Sequence, residues 1–196
     1  MSNLSALGRS KIAKARFQGA AQPATLYFAL AKINKGVYAA GVTYAVGDYV
    51  IPTAWAGHVY KVTAITTGVA GAEPAWPVVA GGQVVAGGVT LTEQTTAMLA
   101  GTFAEADFTG YARGSLACTG ANFSEDGSGN VANLAAITFG AGNTGASGQT
   151  VAVVLEMDAA AAGNVLSVEP MTNPQVANVG ASAVTTAVGA FTFSQT

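Results

Sequence analysis

Length, composition and charge limit what this chain can be. Its 196 residues are enough to bury a sizeable core in one medium domain or two small ones. Charged residues are only 9% of the chain and the net charge is −2, whereas an ordinary soluble domain has roughly 25% charged residues. A free monomer with so few charges would be poorly soluble, so the composition predicts extensive burial against other subunits in a larger assembly.

The single cysteine and the first residues bear on where the protein is made. Cys118 has no second cysteine to pair with, which excludes an intrachain disulfide and a cysteine metal cage. The first 20 residues lack the apolar run of a secretory signal, and no window has the ~18 apolar residues of a membrane span. We therefore expect assembly in a reducing cytoplasm, no membrane partner, and a buried position for Cys118 as a small apolar residue.

The N-terminal region is basic. Residues 1–35 hold six of the eight cations and no acid, giving +6, and the rest of the chain carries −8. Apolar residues at helical spacing over 4–17 predict a terminal helix or arm within residues 1–20. Such an arm can grip an acidic neighbour, or it can merely solvate an uncharged helix. Nucleic acid is not an expected partner, because few of the cations cluster and no binding motif accompanies them. The residues predicted to attach the chain to a particle are Arg9, Lys11, Lys14 and Arg16.

The rest of the chain predicts a succession of short strands. Apolar and β-branched runs between Gly and Pro residues predict strands at 24–32, 49–51, 58–65, 83–86, 89–93, 113–117, 131–139, 150–157, 164–169, 183–187 and 191–194. Residues 33–43 are a predicted linker, and Gly87-Gly88 predicts a hairpin turn. This spacing of strands and Gly-rich turns is typical of a β-sandwich or jelly roll, so the predicted fold class is all-β.

The stretch from Tyr44 to Pro77 has a composition of its own. It contains both tryptophans, the single histidine, three of the six tyrosines and three of the six prolines. Its motifs Y-x-x-G-D-x-V, G-x-x-Y and T-G-x-x-x-x-E-P-x-W resemble the small chitin-binding-type carbohydrate module and its relatives in phage tail and capsid proteins.

Two interpretations of the aromatic residues in this stretch remain open. The resemblance implies a sugar site in which exposed aromatic faces stack on pyranose rings. Alternatively, the same rings form the core of a domain too small to be stable without large side chains. Chitin-binding members carry consecutive tryptophans where residues 61–64 here are Lys-Val-Thr-Ala, which favours the core. The residues concerned are Tyr44, Tyr49, Trp55, Tyr60 and Trp76.

The flanking segments resemble a second family. The motifs, in order, are P-A-T-L-Y-x-A-L, G-Y-A-R, N-x-A-x-I-T-F, G-x-T-V, D-A-A-x-x-G-N-x-L and G-A-F-T-F. Together they are similar to small virion structural proteins of tailed bacteriophages, in which the first strand runs almost directly to G-Y-A-R. The resemblance therefore implies a base of residues 21–33 and 97–196, and an inserted small β domain of residues 34–96. We call these regions the base and the module.

The sequence contains partial matches to catalytic and metal-binding motifs, and each lacks a required residue or element. Residues 140–145 satisfy G-x-G-x-x-G, but a predicted strand follows where a dinucleotide fold needs a helix. Residues 126–130 resemble the start of a calcium loop, yet Ile137 stands where a bidentate Glu is required. His58 has no second imidazole for a metal site or triad. We therefore expect no enzyme, no cofactor and no metal.

The sequence predicts a phage virion protein on the particle surface. The first hypothesis is a head decoration or cement protein that binds across major capsid protein subunits, with the module projecting outward. The alternative is a tail or fibre component whose module contacts host surface polysaccharide. A homo-oligomer, such as a trimer, is compatible with either.

Overall fold

The computed structural model describes residues 23–125, 130–145, 147–180, 182–187 and 192–194. The predicted N-terminal helix and the predicted attachment residues Arg9, Lys11, Lys14 and Arg16 lie outside the described residues.

The described residues are almost entirely β structure. The strands are β1 (Thr25–Ile33), β2 (Tyr49–Val50), β3 (Tyr60–Ala70), β4 (Gln83–Glu93), β5 (Gly114–Ala117), β6 (Phe123–Glu125), β7 (Asn130–Asn133), β8 (Ile137–Phe139), β9 (Gln149–Met157), β10 (Val165–Ala177), β11 (Val184–Thr186) and β12 (Thr192–Ser194). One short 3₁₀ helix, Thr96–Ala100, follows β4. The predicted all-β fold class is confirmed.

A four-stranded antiparallel sheet in the order β10-β9-β1-β5 forms the centre of the base. Seven consecutive residues of β9, 151–157, are buried, as expected for an apolar strand covered on both faces. The register places Leu30 of β1 opposite Val154 of β9, and Val154 opposite Glu169 of β10.

Each face of the central sheet carries its own buried cluster. Phe28 from β1 and Phe139 from β8 belong to the cluster on one face, which the β8–β11 pair helps to cover. Leu155 from β9 lies in the cluster on the other face together with Ile51 and Met98. The central sheet is thus a middle layer between small strands on one side and the start of the module on the other.

The module contains the antiparallel sheet β2-β3-β4. Although eleven extended residues would span roughly 36 Å, Glu93 N at the end of β4 donates to Gly82 O at 2.8 Å. β4 therefore folds back at the predicted Gly87-Gly88 turn. Gly87 has φ +63°, and a Cβ there would collide with the backbone of Gly71, so the turn requires glycine.

A large bulge interrupts β10. Pro170 pairs with Val153 and Gln175 pairs with Val151, so residues 171–174 lie opposite the single residue Ala152. These four residues leave the ladder, and pairing with β9 resumes at Gln175. Met171 O in the bulge accepts a hydrogen bond from Trp55 of the module. The bulge also lines a cleft that β11 borders on its other side.

Two local predictions are wrong. Residues 131–139 form not one strand but β7 and β8, which belong to different sheets. Asn133 is buried and its Nδ2 donates to Ala135 O at 2.8 Å and Ala187 O at 3.0 Å, because a side-chain amide can replace ladder bonds and turn the chain. Cys118 is exposed, since β5 ends at Ala117 and the chain enters a surface turn there.

Candidate functional site

Four aromatic rings of the module form a connected group, which we call the aromatic cluster. Tyr38 and Tyr44 are stacked with centroids 5.8 Å apart, and Trp76 meets the Tyr38 ring edge-on at 5.3 Å. Trp76 also lies tilted on Tyr60 with centroids 4.4 Å apart. Tyr38, Tyr44 and Tyr60 are buried, whereas Trp76 remains partly exposed. The cluster is thus a buried tyrosine layer with one tryptophan at its surface.

Tyrosine hydroxyls fix the loop that carries Trp76. Tyr60 Oη donates to Pro77 O at 2.7 Å, and Tyr38 Oη donates to Gly71 O at 2.9 Å. Burial, with a further contribution from the Glu93 carboxylate, raises the pKa of Tyr60 to about 12, so this hydroxyl stays protonated and donates. Both ends of the loop are therefore tied to core rings.

A carboxylate is held beside the exposed tryptophan. Glu73 Oε1 accepts hydrogen bonds from Trp76 Nε1 at 2.9 Å and from Thr53 N at 2.8 Å. Partial burial acts to raise the pKa of Glu73, but the hydrogen bonds from Thr53 and Trp76 outweigh it and lower that pKa. Glu73 is therefore anionic at neutral pH.

The pair formed by Trp76 and Glu73 suits contact with a polyol. An indole face attracts the C–H groups of a sugar ring, and a fixed carboxylate accepts hydrogen bonds from hydroxyls. The pair is shallow and exposed, as a surface contact requires.

The other predicted aromatic residues lie elsewhere. Tyr49 is buried in the cluster against the central sheet, and Trp55 packs at its border. Trp55 Nε1 donates to Met171 O in the β10 bulge at 2.7 Å. The five aromatic residues predicted from the motif thus divide between the aromatic cluster and the junction between module and base.

Sequence analysis missed two members of this arrangement. Tyr38 falls in the predicted linker, yet its N donates to Ile51 O at 2.8 Å and its ring joins the aromatic cluster. Glu73 is the acidic residue of the E-P-x-W motif, but the motif alone does not predict its hydrogen bond to Trp76. Its position three residues before Trp76 was the available signal.

The module also presents most of the exposed aliphatic surface. Of the eleven large hydrophobic residues that are exposed in the described structure, eight lie within residues 34–96. They are Val37, Val42, Val46, Ile65, Val69, Val78, Val79 and Val85. The last three are the most exposed, at 62%, 65% and 67%.

A second polar group lies on the base beside a cleft of about 540 Å³. Arg113 Nε and Nη2 donate to the two carboxylate oxygens of Glu105 at 2.8 and 2.6 Å, and Arg113 Nη1 donates to Ala159 O and Ala162 O. Burial acts to raise the pKa of Glu105, but the hydrogen bonds from Arg113 and Tyr111 lower it overall. Because Arg113 is so fully engaged, we interpret this group as a structural clamp on the turn at 159–162.

Within the described ranges, no group of three or more His, Cys, Asp and Glu side chains is placed to hold a metal ion. None of the described helices has the length and apolar character needed to cross a bilayer.

The described residues form several antiparallel sheets, and only 9% of the chain is charged. Residues 88–194 match the sequence model of a family described as podophage GP4 fiber I protein gp80. The match spans 107 of the 196 residues, more than half, so the chain belongs to this family. It is a structural protein of a phage virion. No curated protein matches the chain.

The family match has a clear position on the fold. It begins at the turn of β4, continues through the base and ends in β12. The aromatic cluster, Glu73 and Trp55 all precede residue 88. The family description therefore applies to the base, and it favours the tail or fibre hypothesis over head decoration.

Proposed function

We propose that this chain is a fibre component of the phage tail, and that its module contacts host surface polysaccharide. The family match carries the first part of the proposal, because the matched family is described as a fibre protein. The base would associate with other virion proteins, and its low charge suits burial in such an assembly.

The pair of Trp76 and Glu73 carries the second part. The indole is partly exposed, its orientation is fixed by the Glu73 carboxylate at 2.9 Å, and Tyr60 supports it from beneath. A preorganised ring and acceptor lose little freedom on binding, which is the property that gives a shallow site useful affinity. No bond is broken in this function, so we assign no catalytic residue.

Location on the particle tests the fibre assignment. Antibodies against the chain, visualised on intact virions by electron microscopy, are expected to label the tail. Labelling spread over the head would contradict the proposal and restore the decoration hypothesis.

Binding of the purified chain to polysaccharide from the host surface tests the site. Trp76→Ala is expected to abolish retention by removing the stacking face, and Trp76→Phe to weaken it, because Phe keeps a ring but cannot donate to Glu73. Leu134→Ala, an exposed aliphatic change on the base, is the matched control. Equal retention by all variants, each verified as folded by its melting transition, would contradict the glycan site.

A further inference from the structure

The module holds one exposed acidic side chain, and it lies beside the exposed tryptophan. Residues 34–96, which are described without a gap, contain three acidic residues. Asp48 and Glu93 are buried, at 8% and 1% exposed, whereas Glu73 is exposed. A ligand that reaches Trp76 therefore meets the carboxylate of Glu73 and no second exposed carboxylate of the module.

Only neutral groups contact the Glu73 carboxylate within the described part of the chain. Its hydrogen-bond donors are Trp76 Nε1 at 2.9 Å and Thr53 N at 2.8 Å, together with the Thr53 side chain. An indole, an amide and a hydroxyl orient a carboxylate but do not neutralise its charge. The site thus keeps a full negative charge at its surface.

The lysines of the module are engaged away from this site. Lys35 lies 3.6 Å from Asp48, and Lys61 lies over the Tyr49 ring at 5.6 Å. Residues 74–92, which include the exposed tryptophan and the loop after it, contain no charged residue. No ammonium or guanidinium group of the module is therefore placed to receive an anionic ligand at this site.

The Trp76 ring adds a second attraction for positive charge. Tyr60 lies against this ring with centroids 4.4 Å apart, and the Tyr60 hydroxyl holds the loop by donating to Pro77 O. The exposed part of the indole is thus presented in a fixed position. An indole face attracts an ammonium group electrostatically, and here it does so beside a carboxylate, because Glu73 accepts a hydrogen bond from the same ring.

Charge therefore distinguishes three kinds of polysaccharide at this site. An acidic polymer, which bears carboxylates or phosphates, brings like charge next to Glu73 and is disfavoured. A neutral polymer gains stacking and hydrogen bonds from its hydroxyls. A polymer whose sugars carry free ammonium groups gains an ion pair with Glu73 and a cation–π contact with Trp76 in addition.

We propose that the pair of Trp76 and Glu73 selects polysaccharide with free amino groups and discriminates against acidic polysaccharide. This inference rests on the proposed polysaccharide contact and names the chemical class of its ligand. Surface ion pairs and cation–π contacts are individually modest, so the dissociation constant for an aminated polymer is expected to be roughly three- to thirtyfold lower than for its acetylated form.

Three polymers of matched length test this selection: a hexosamine polymer with free amines, the same polymer after N-acetylation, and a hexuronate polymer. At about pH 5.5 the amines are protonated, and Glu73, whose pKa is lowered, remains ionised. The purified chain is expected to bind the aminated polymer most tightly and the hexuronate polymer least. Equal binding of the aminated and acetylated polymers, or tighter binding of the hexuronate polymer, would overturn the proposal.

Matched variants separate this site from the general attraction of an acidic protein for a cationic polymer. Glu73→Gln is expected to remove the preference for the aminated polymer over its acetylated form. Asp107→Asn takes the same charge from an exposed carboxylate of the base and is expected to keep the preference. An equal loss in both variants, each verified as folded by its melting transition, would assign the preference to net charge and overturn the proposal.

Polysaccharide from the host surface separates failure of this inference from failure of the proposed function. Acetylation of its free amines with acetic anhydride is expected to weaken its retention by the chain. Undiminished retention after acetylation would overturn the amine selection and leave the polysaccharide contact standing. Absence of retention before acetylation would overturn both.

Discussion

The base and the module bury their side chains by different means. The central sheet of the base encloses aliphatic and phenylalanine side chains on both faces, and β9 is buried over 151–157. The module buries Tyr38, Tyr44 and Tyr60 together with aliphatic side chains such as those of Val62 and Leu91. The Tyr60 hydroxyl donates to Pro77 O at 2.7 Å. It also carries eight of the eleven exposed large hydrophobic residues of the described structure. The two regions therefore differ both in the side chains they bury and in how much large hydrophobic surface they expose.

Contacts at the junction between the two regions hold the module against the base. Ile51 and Val59 share a buried cluster with residues of the central sheet, and Trp55 donates to Met171 O. One side of the module is thus completed by the base. The aromatic cluster instead holds the loop at 71–77, because the Tyr38 and Tyr60 hydroxyls donate to Gly71 O and Pro77 O.

The largest expected effect comes from opening the core of the base. Phe139 is fully buried, so Phe139→Ala is expected to cost about 3–5 kcal/mol of unfolding free energy through lost burial and a cavity. Urea unfolding measures this cost. The exposed Leu134→Ala is its control and is expected to change stability by less than about 0.5 kcal/mol. Similar losses of unfolding free energy for the two variants would contradict a well-packed hydrophobic core around Phe139.

A smaller effect is expected from pH through Glu169, a partly buried carboxylate of β10 whose pKa burial raises to about 7. Between pH 4.5 and about 7, the folded Glu169 holds a proton that the unfolded chain has released, so stability falls as pH rises through this window. After allowance for solvent screening we expect roughly 1–2 kcal/mol, measured by unfolding at several pH values. Glu169→Gln should remove this slope. A slope of the same size with Gln at 169 would assign it to another group.

The tyrosine hydroxyls of the module should each contribute less. Tyr60→Phe removes the hydrogen bond to Pro77 O and is expected to cost about 1 kcal/mol. Hydrogen exchange should accelerate in the loop at 71–77 and stay unchanged in β9. Tyr27→Phe is the matched control, because the Tyr27 hydroxyl has no partner within the described residues. Accelerated exchange throughout the base would contradict this prediction, because it would show that the Tyr60 hydroxyl stabilises the base as well as the loop.

The smallest effect on stability should follow from Glu73→Gln. This exposed change keeps the shape of the side chain, so unfolding free energy is expected to move by less than about 0.5 kcal/mol. Retention by host polysaccharide should nevertheless fall, because the charged acceptor beside Trp76 is lost. Unaltered retention would remove Glu73 from the site and leave stacking on Trp76 alone.

Local pattern was sufficient for much of the fold. The apolar runs at 24–32 and 150–157 predicted β1 and β9 closely, and Gly87-Gly88 predicted the fold-back of β4. These features depend on residues near one another in the chain. They could be predicted because burial and turn chemistry act over a few residues.

Long-range contacts were beyond such reasoning. Trp55 Nε1 donates to Met171 O, which lies 116 positions away in a bulge that no sequence pattern predicts. Tyr38 joins the aromatic cluster from a segment without strand character. The break after Asn133 depends on Ala187 O, a partner 54 residues later. The motif places Trp55 and Trp76 in one stretch of chain, and only the tertiary structure assigns them to different clusters.

The number of copies per virion is the most direct test of the fibre assignment. Quantifying this chain against the major coat protein in purified particles is expected to give a ratio of only a few per cent, as for a component present once per fibre subunit. A ratio near one, or a simple fraction such as one third, would place the chain on the head lattice and contradict the account.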